Sequence, residues 1–230
     1  LQRSARAAQA AGADLREHVT INTATLAGGV WTIQATTDAG PATYTARTLV
    51  AADGAHSYVA GALGIELPPA EGLCSRAYVK AGTHNFDADG VAFYVSDLIP
   101  GYAALFKEAD GDVNFCTYII PGGKTKNEDL RKMHDSLIKD HPHIRRALGP
   151  NAVIGKMQGA PLRLGAGIKS HYEQMVIIGD AAGHIDPLTG EGIHTAMDGG
   201  WMAAEELSAA LDAGDLSEKR LKRYEDRWMK

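Results

Sequence analysis

The segment Gln174–Ile193, QMVIIGDAAGHIDPLTGEGI, constrains the fold of this chain more than any other. Met175–Ile178 is an unbroken apolar run, the pattern of a strand buried on both faces under helices, as in a parallel sheet. The run ends in Gly179-Asp180, and in open parallel sheets ligands bind just beyond the carboxyl ends of the strands. A short carboxylate there accepts hydrogen bonds from sugar or polyol hydroxyls, while Gly179 and Ala181-Ala182-Gly183 let backbone approach a ligand closely. Thr189-Gly190-Glu191-Gly192 then opens a helical pattern at Ile193. A helix start carries roughly half a positive elementary charge. It suits a phosphate, or a ring that becomes anionic on reduction. A plainer reading stays open, in which small residues pack a βα turn and Asp180 only caps a helix.

A second stretch, LVAADGAHSYV from Leu49 to Val59, repeats the arrangement: a short apolar strand delivers Asp53-Gly54. Asp-Gly is a common turn dipeptide, so its weight comes from the pairing of two strand tips that each present a carboxylate beside glycine. Between them the texture changes. SRAYVKAG, GVAFYVSD, YAALFKEA and DVNFCTYII are evenly spaced strand-like runs that read as one antiparallel sheet. Around this insert, VTINTATLAGGVWTIQATT forms a hairpin about Gly28-Gly29, and residues 1–11 form a helix stopped by Gly12. Glu128–Leu148 is an amphipathic helix ending at Gly149-Pro150. The last long helix carries Ile193, Met197, Trp201, Ala204, Leu207 and Leu211 on one face, with Trp201 expected in the core. The fold class is therefore α/β with mixed α+β character, expected as 1–70 and 161–230 enclosing a β-rich domain at 71–160.

Charge narrows the partners. With 23 basic and 28 acidic residues the formal charge is −5, against a nucleic-acid partner or an anionic membrane surface. No apolar run approaches the roughly 18 residues of a spanning helix. Cys74 and Cys116 lie far apart in sequence, so no disulfide framework is expected and a reducing cytoplasm is the expected compartment.

ADGAHS and GDAAGHIDPLTGEGI together resemble the two late fingerprints of FAD-dependent enzymes with the para-hydroxybenzoate hydroxylase-type fold, and most closely the geranylgeranyl reductase-like branch. The branch also carries a Tyr-x-Trp-x-Phe-Pro segment; here PGYAALFKEADGDVNF, Pro100–Phe115, keeps Tyr102 and Phe106 and has Ala104 and Lys107 in place of Trp and Pro. The resemblance implies a Rossmann-type FAD domain interrupted by an antiparallel substrate sheet. It implies that Asp180, after Gly179, holds the ribityl and pyrophosphate region, and that Asp53 and Gly54 lie near the pyrophosphate. Pro187, Thr189, Gly190, Glu191, Gly192 and Ile193 would line the isoalloxazine. The implied reaction passes a hydride to a carbon–carbon double bond of an apolar, isoprenoid-like small molecule, with NAD(P)H or a reduced carrier protein as electron donor. Membrane contact is expected only through a lipid substrate.

Within that reading Tyr94, Tyr102, Phe106 and Phe115 are candidates for the substrate wall. Tyr102 and His184 are candidate proton donors, with Asp186 beside the ring. His141 and His143 flank Pro142 without partner ligands, and no metal is expected. The tail Glu218–Lys230 reads as a solvated helix face. The Gly-x-Gly-x-x-Gly βαβ unit of such flavoproteins is missing: Gly165–Ser170 (GAGIKS) neither follows a strand nor opens an apolar helix, and the stretch around Lys124 fails as a phosphate loop. The chain is thus expected to be the C-terminal part of a longer flavoprotein. Two alternatives stand beside the reductase: a flavin-dependent monooxygenase or halogenase of the same fold, and a non-catalytic fragment that needs the missing half.

Overall fold

The computed structural model describes residues 2–120, 123, 126–165 and 167–230, so Lys124 and Ala166 of the two rejected phosphate-loop matches lie outside the described residues. Helix α1 (Gln2–Ala10) leads into strands β1 (Thr20–Ala27), β2 (Val30–Thr37) and β3 (Gly40–Ala46), an antiparallel meander. Gly28 and Gly29 both take positive φ, 56° and 76°, as the two-residue turn that matches strand twist requires. Strand β3 carries little apolar alternation and opens on Gly40-Pro41, which only an edge strand tolerates; the sequence pattern did not mark it.

Strand β4 (Leu49–Ala51) and helix α2 (Tyr58–Ala62) precede the insert. The insert holds β5 (Gly72–Val79), β6 (Gly90–Phe93), β7 (Tyr102–Lys107), β8 (Val113–Ile119), helices α3 (Leu130–Asp140) and α4 (Pro142–Leu148), and β9 (Gln158–Leu162). Its strands form one antiparallel sheet in the order β6-β7-β8-β5-β9. Strand β9 pairs with β5 from Gly72 to Arg76, so the boundary expected at 160 falls inside a strand. One face of the sheet, through Val79, Leu105, Val113, Phe115 and Ile119, packs on Leu130, Leu137, Ile144 and Leu148 of α3 and α4. The single amphipathic helix expected over 128–148 is broken at His141. A residue before proline is forced out of the α region, and His141 sits at φ −73°, ψ 118° while Pro142 starts the new helix.

Strands β10 (His171–Tyr172) and β11 (Met175–Ile177) complete a second sheet in the order β10-β11-β4, with β11 and β4 parallel. Met175 and Ile177 enter the cluster with Ala24, Trp31, Ile33 and Val59 on one side, and Val176 enters the cluster with Ala203, Leu207 and Leu221 on the other. The strand is buried on both faces, as its apolar run requires. Gln174 fixes its register. Its Nε2 donates to the carbonyls of Gly29 at 2.9 Å and Arg47 at 2.7 Å, and its own carbonyl accepts from Trp31 Nε1, Thr48 Oγ1 and Leu49 N.

Two helices close the chain, α5 (Ile193–Ala213) and α6 (Glu218–Trp228). The face of α5 expected in the core is wrong for its first half: Ile193, Met197 and Trp201 are 72%, 65% and 70% exposed, and Gly199 and Ala203 are buried instead, while Leu207 further along is buried as expected. An apolar stripe at i, i+4, i+8 satisfies helical periodicity whichever way the helix is turned. The tail is not simply a solvated face either. Leu221 and Tyr224 of α6 are fully buried, and the buried Glu206 carboxylate of α5 takes Arg220 at 3.0 Å and Arg227 at 3.3 Å.

Under the inserted sheet, Ser75 Oγ hydrogen-bonds both Thr117 Oγ1 and His134 Nδ1, the latter at 2.8 Å. Burial holds His134, and His184 beside α6, down to about 4 from the ordinary 6.5. On acidification the unfolded chain therefore takes up these protons first. Their contribution to stability is intact above pH 6.5 and is lost progressively as pH falls towards 4. The melting temperature is expected to drop across that window, and His134→Gln to make the drop shallower.

Candidate functional site

Because β4 and β11 run parallel, their carboxyl ends open on the same edge. Ile178 N donates to Ala51 O at 2.9 Å, and the Asp53 and Asp180 loops leave the sheet side by side. Asp53 is engaged within its own loop: Oδ1 accepts from Ser57 Oγ at 2.7 Å and Oδ2 from Val59 N at 2.9 Å, which fixes the entry to α2. Gly54 sits in the turn between them at φ 82°. Asp180 is different. It lies in a 3₁₀ turn, Gly179–Ala182, half-buried; its backbone carbonyl accepts from Gly183 N, but its carboxylate makes no hydrogen bond among the described residues. Burial pushes its carboxyl above the usual range. A Cβ placed on Gly192 would stand 2.9 Å from Asp180 Oδ1, so the carboxylate lies directly against the start of α5.

That helix start is built to offer amides. No side chain caps it, its first turn holds no acid, and the backbone N–H groups of Gly192, Ile193, His194 and Thr195 find no acceptor among the described residues. The loop before it is rigid by its own bonds. Asp186 Oδ1 accepts from Leu188 N and Thr189 N at 2.8 and 2.9 Å, Thr189 Oγ1 accepts from Glu191 N, and Gly190 N donates to Asp186 O. Glu191 points to solvent and pairs with His194 at 3.1 Å, so it leaves the amides free.

The loop is docked on the inserted sheet. Tyr102 Oη donates to Thr189 O at 2.5 Å and Tyr118 Oη to Pro187 O at 3.0 Å, and a Cβ on Gly190 would meet the Tyr118 ring at 3.0 Å. Strand register sorts the remaining wall candidates. Tyr102 pairs with Tyr118, Ala104 with Cys116 and Phe106 with Asn114 on β8, while Cys116 faces Arg76 and Tyr118 faces Cys74 on β5. These residues share the face away from α3 and α4. Tyr94, 74% exposed, adds its ring 6.1 Å from that of Tyr102. Phe115 does not belong here: it alternates to the other face, is fully buried, and packs 4.7 Å from the His134 ring. Cys74, Arg76, Cys116 and Tyr118 were missed as wall residues. Period-two parity from Tyr102 and Phe106 would have found them once the register was known. Burial pushes the Tyr102 phenol up to about 12, so it stays protonated as a donor to the loop.

The expectation for His184 as a proton donor is corrected. Its ring is buried, stacked at 3.7 Å on Trp228 of α6, and lies against Gly199, behind the loop rather than before it. Held neutral by burial, it is part of the packing between the Asp180 loop and the last helix. Arg163, equally unmarked in the sequence, is 7% exposed. One guanidinium nitrogen donates to Ala55 O in the Asp53 loop, and Nε and Nη1 have no partner among the described residues.

These features fit FAD. A half-buried carboxylate without a partner lies against a helix start with free amides, and a buried arginine beside the Asp53 loop keeps spare donors; groups of this kind suit the polyol and phosphate oxygens of FAD. Asp180→Ala is expected to weaken FAD binding by about tenfold or more, the worth of one charge-assisted hydrogen bond. The melting temperature of the flavin-free protein should not change, since the carboxylate holds nothing else. FAD fluorescence quenching and a thermal melt read the two effects.

Comparison with known proteins bears on the family and the fold. The FAD binding domain family matches residues 5–229. Conditioned medium factor receptor 1 of Dictyostelium discoideum is 48% identical over 99% of this chain, and the digeranylgeranylglycerophospholipid reductase of Methanococcus vannielii is 34% identical over 80%. The chain spans 46% and 47% of the length of these two relatives. A geranylgeranyl bacteriochlorophyll reductase-like protein from Thermoplasma acidophilum superimposes with a TM-score of 0.82 over 98% of this chain and 57% of its own, at 21% identity, a likeness of fold. The chain belongs to the FAD binding domain family, and its cofactor is FAD.

Proposed function

We propose that this chain supplies the flavin-ring side and the substrate floor of an FAD-dependent reductase acting on carbon–carbon double bonds of apolar, isoprenoid-like molecules. One observation carries the reading: the open face of the inserted sheet runs without interruption into the loop and helix start that fit the flavin. The resemblance to digeranylgeranylglycerophospholipid reductases supports the substrate class.

FAD, when bound, supplies hydride-level redox chemistry. The protein's part is to hold and to surround. Asp180 anchors the polyol, and the α5 amides favour negative charge developing opposite them. Tyr102 and Tyr118 clamp the Pro187–Gly190 loop to the sheet, so ring position and substrate floor are fixed by the same two phenols. Small side chains stand at Ala104 and Cys116 in the middle of the floor, and Phe106 and Tyr94 offer exposed apolar surface at its margins. Asp53 serves by shaping the adjoining loop. NAD(P)H or a reduced carrier protein would provide electrons, in the cytoplasm, with membrane contact only through a lipid substrate. Among the described residues no helix is long and apolar enough to cross a membrane.

The test is anaerobic. The FAD-loaded chain, reduced with dithionite and mixed with geranylgeraniol, is expected to be reoxidised while the polyene gains two hydrogens per flavin, read by absorbance and mass spectrometry. Reoxidation only by oxygen, with oxygen entering an organic substrate, would replace the reductase by a monooxygenase. A chain that takes up no FAD would leave the fragment reading standing.

A further inference from the structure

Arg76 stands in the middle of the open sheet face. Its strand neighbours are Cys116 of β8 on one side and Gln158 of β9 on the other. Among the strand residues that share this face (Gly72, Cys74 and Tyr78 on β5, Tyr102, Ala104 and Phe106 on β7, Asn114, Cys116 and Tyr118 on β8) it is the charged one. The chain carries 28 acidic residues, yet none pairs with this guanidinium among the described residues. Its guanidinium donates to Tyr78 Oη at 3.3 Å. The two neighbouring thiols do not neutralise it, because burial keeps Cys74 and Cys116 protonated.

The position relative to the flavin loop matters as much as the charge. Cys74, Tyr118 and Tyr102 form the row that touches Pro187–Gly190 and feels Asp180. Arg76 and Cys116 form the next row, two residues along the strands and so about 7 Å further out. The hydrogen bond to Tyr78 leans the guanidinium away from the loop. An apolar molecule lying on this floor with its reacting carbons at the loop thus has a cation about one row or more behind them.

We infer that Arg76, with Tyr78, is a specificity-determining subsite that takes the anionic end of the substrate, a phosphate or a carboxylate, and so fixes which carbons of the chain reach the flavin. This rests on the proposed reductase reading, since it assumes the floor is the substrate site. An arginine fork matches either anion in two-point geometry, and an apolar chain alone has nothing on this floor to set its register.

The test uses the FAD-loaded chain and three ligands of the same hydrocarbon skeleton: farnesyl phosphate, farnesoic acid and farnesol. By isothermal titration calorimetry at least one of the two anions is expected to bind about tenfold tighter than the alcohol, and which one does so names the anion. Arg76→Gln should remove that preference, while Arg76→Lys keeps part of it. Arg76 is exposed, so folding is not at risk; equal melting temperatures check this. Equal affinity for all three ligands in the unaltered chain, or a preference that survives Arg76→Gln, overturns the inference. Failure of all three to bind also overturns it, and FAD uptake measured in the same sample tells whether the flavin reading falls with it.

Discussion

Everything at the site depends on the parallel pairing of β4 with β11, three residue pairs long. So short a ladder is weak by its backbone bonds alone. Its hold comes from burial on both faces and from Gln174, whose side chain and carbonyl tie β11 to the Gly28-Gly29 turn, to Trp31 and to the entry of β4. With the register pinned, two loops from opposite ends of the sequence emerge on one edge. A slip of one residue would turn Val176 to the other layer and carry Asp180 away from Gly192.

The inserted sheet meets this edge through two phenols. Tyr102 and Tyr118 occupy paired positions on β7 and β8, and both donate to carbonyls of the Pro187–Gly190 loop. The loop is therefore held from below by the inserted sheet and from behind by packing that reaches α6 through His184 and Trp228. Among the described residues nothing caps the α5 amides and nothing bonds the Asp180 carboxylate, so both stay open. Both would be costly orphans in an ordinary turn, and they are the groups proposed above to meet the cofactor.

Much of this was legible in the sequence. The apolar run before Gly179-Asp180 forces a doubly covered strand, and the strand-like runs of the insert force a sheet, because each pattern has one low-energy solution. The direction of α5 was not legible. Ile193, Met197 and Trp201 are regular in spacing but lie on the outer side, and periodicity finds a stripe without saying what covers it. Phe115 was misplaced for a related reason: face assignment on β8 needs the cross-strand register, which is a tertiary fact. His184 read as reactive because it sits inside a fingerprint, but its neighbours Tyr224 and Trp228 come from α6, far along the sequence. Arg76 and Arg163 gave no local signal at all. Their interest lies in the acids they do not meet.

The inserted sheet has no idle side. Odd-numbered positions of β5 and β8 fill the core under α3 and α4, and even-numbered ones line the floor. Insertions and deletions within these strands are thus closed to evolution, since a single added residue would exchange core for floor and scramble both. Changes on the open face in such a lineage must arise by replacement at alternate positions, one side chain at a time, while the intervening residues keep the core intact.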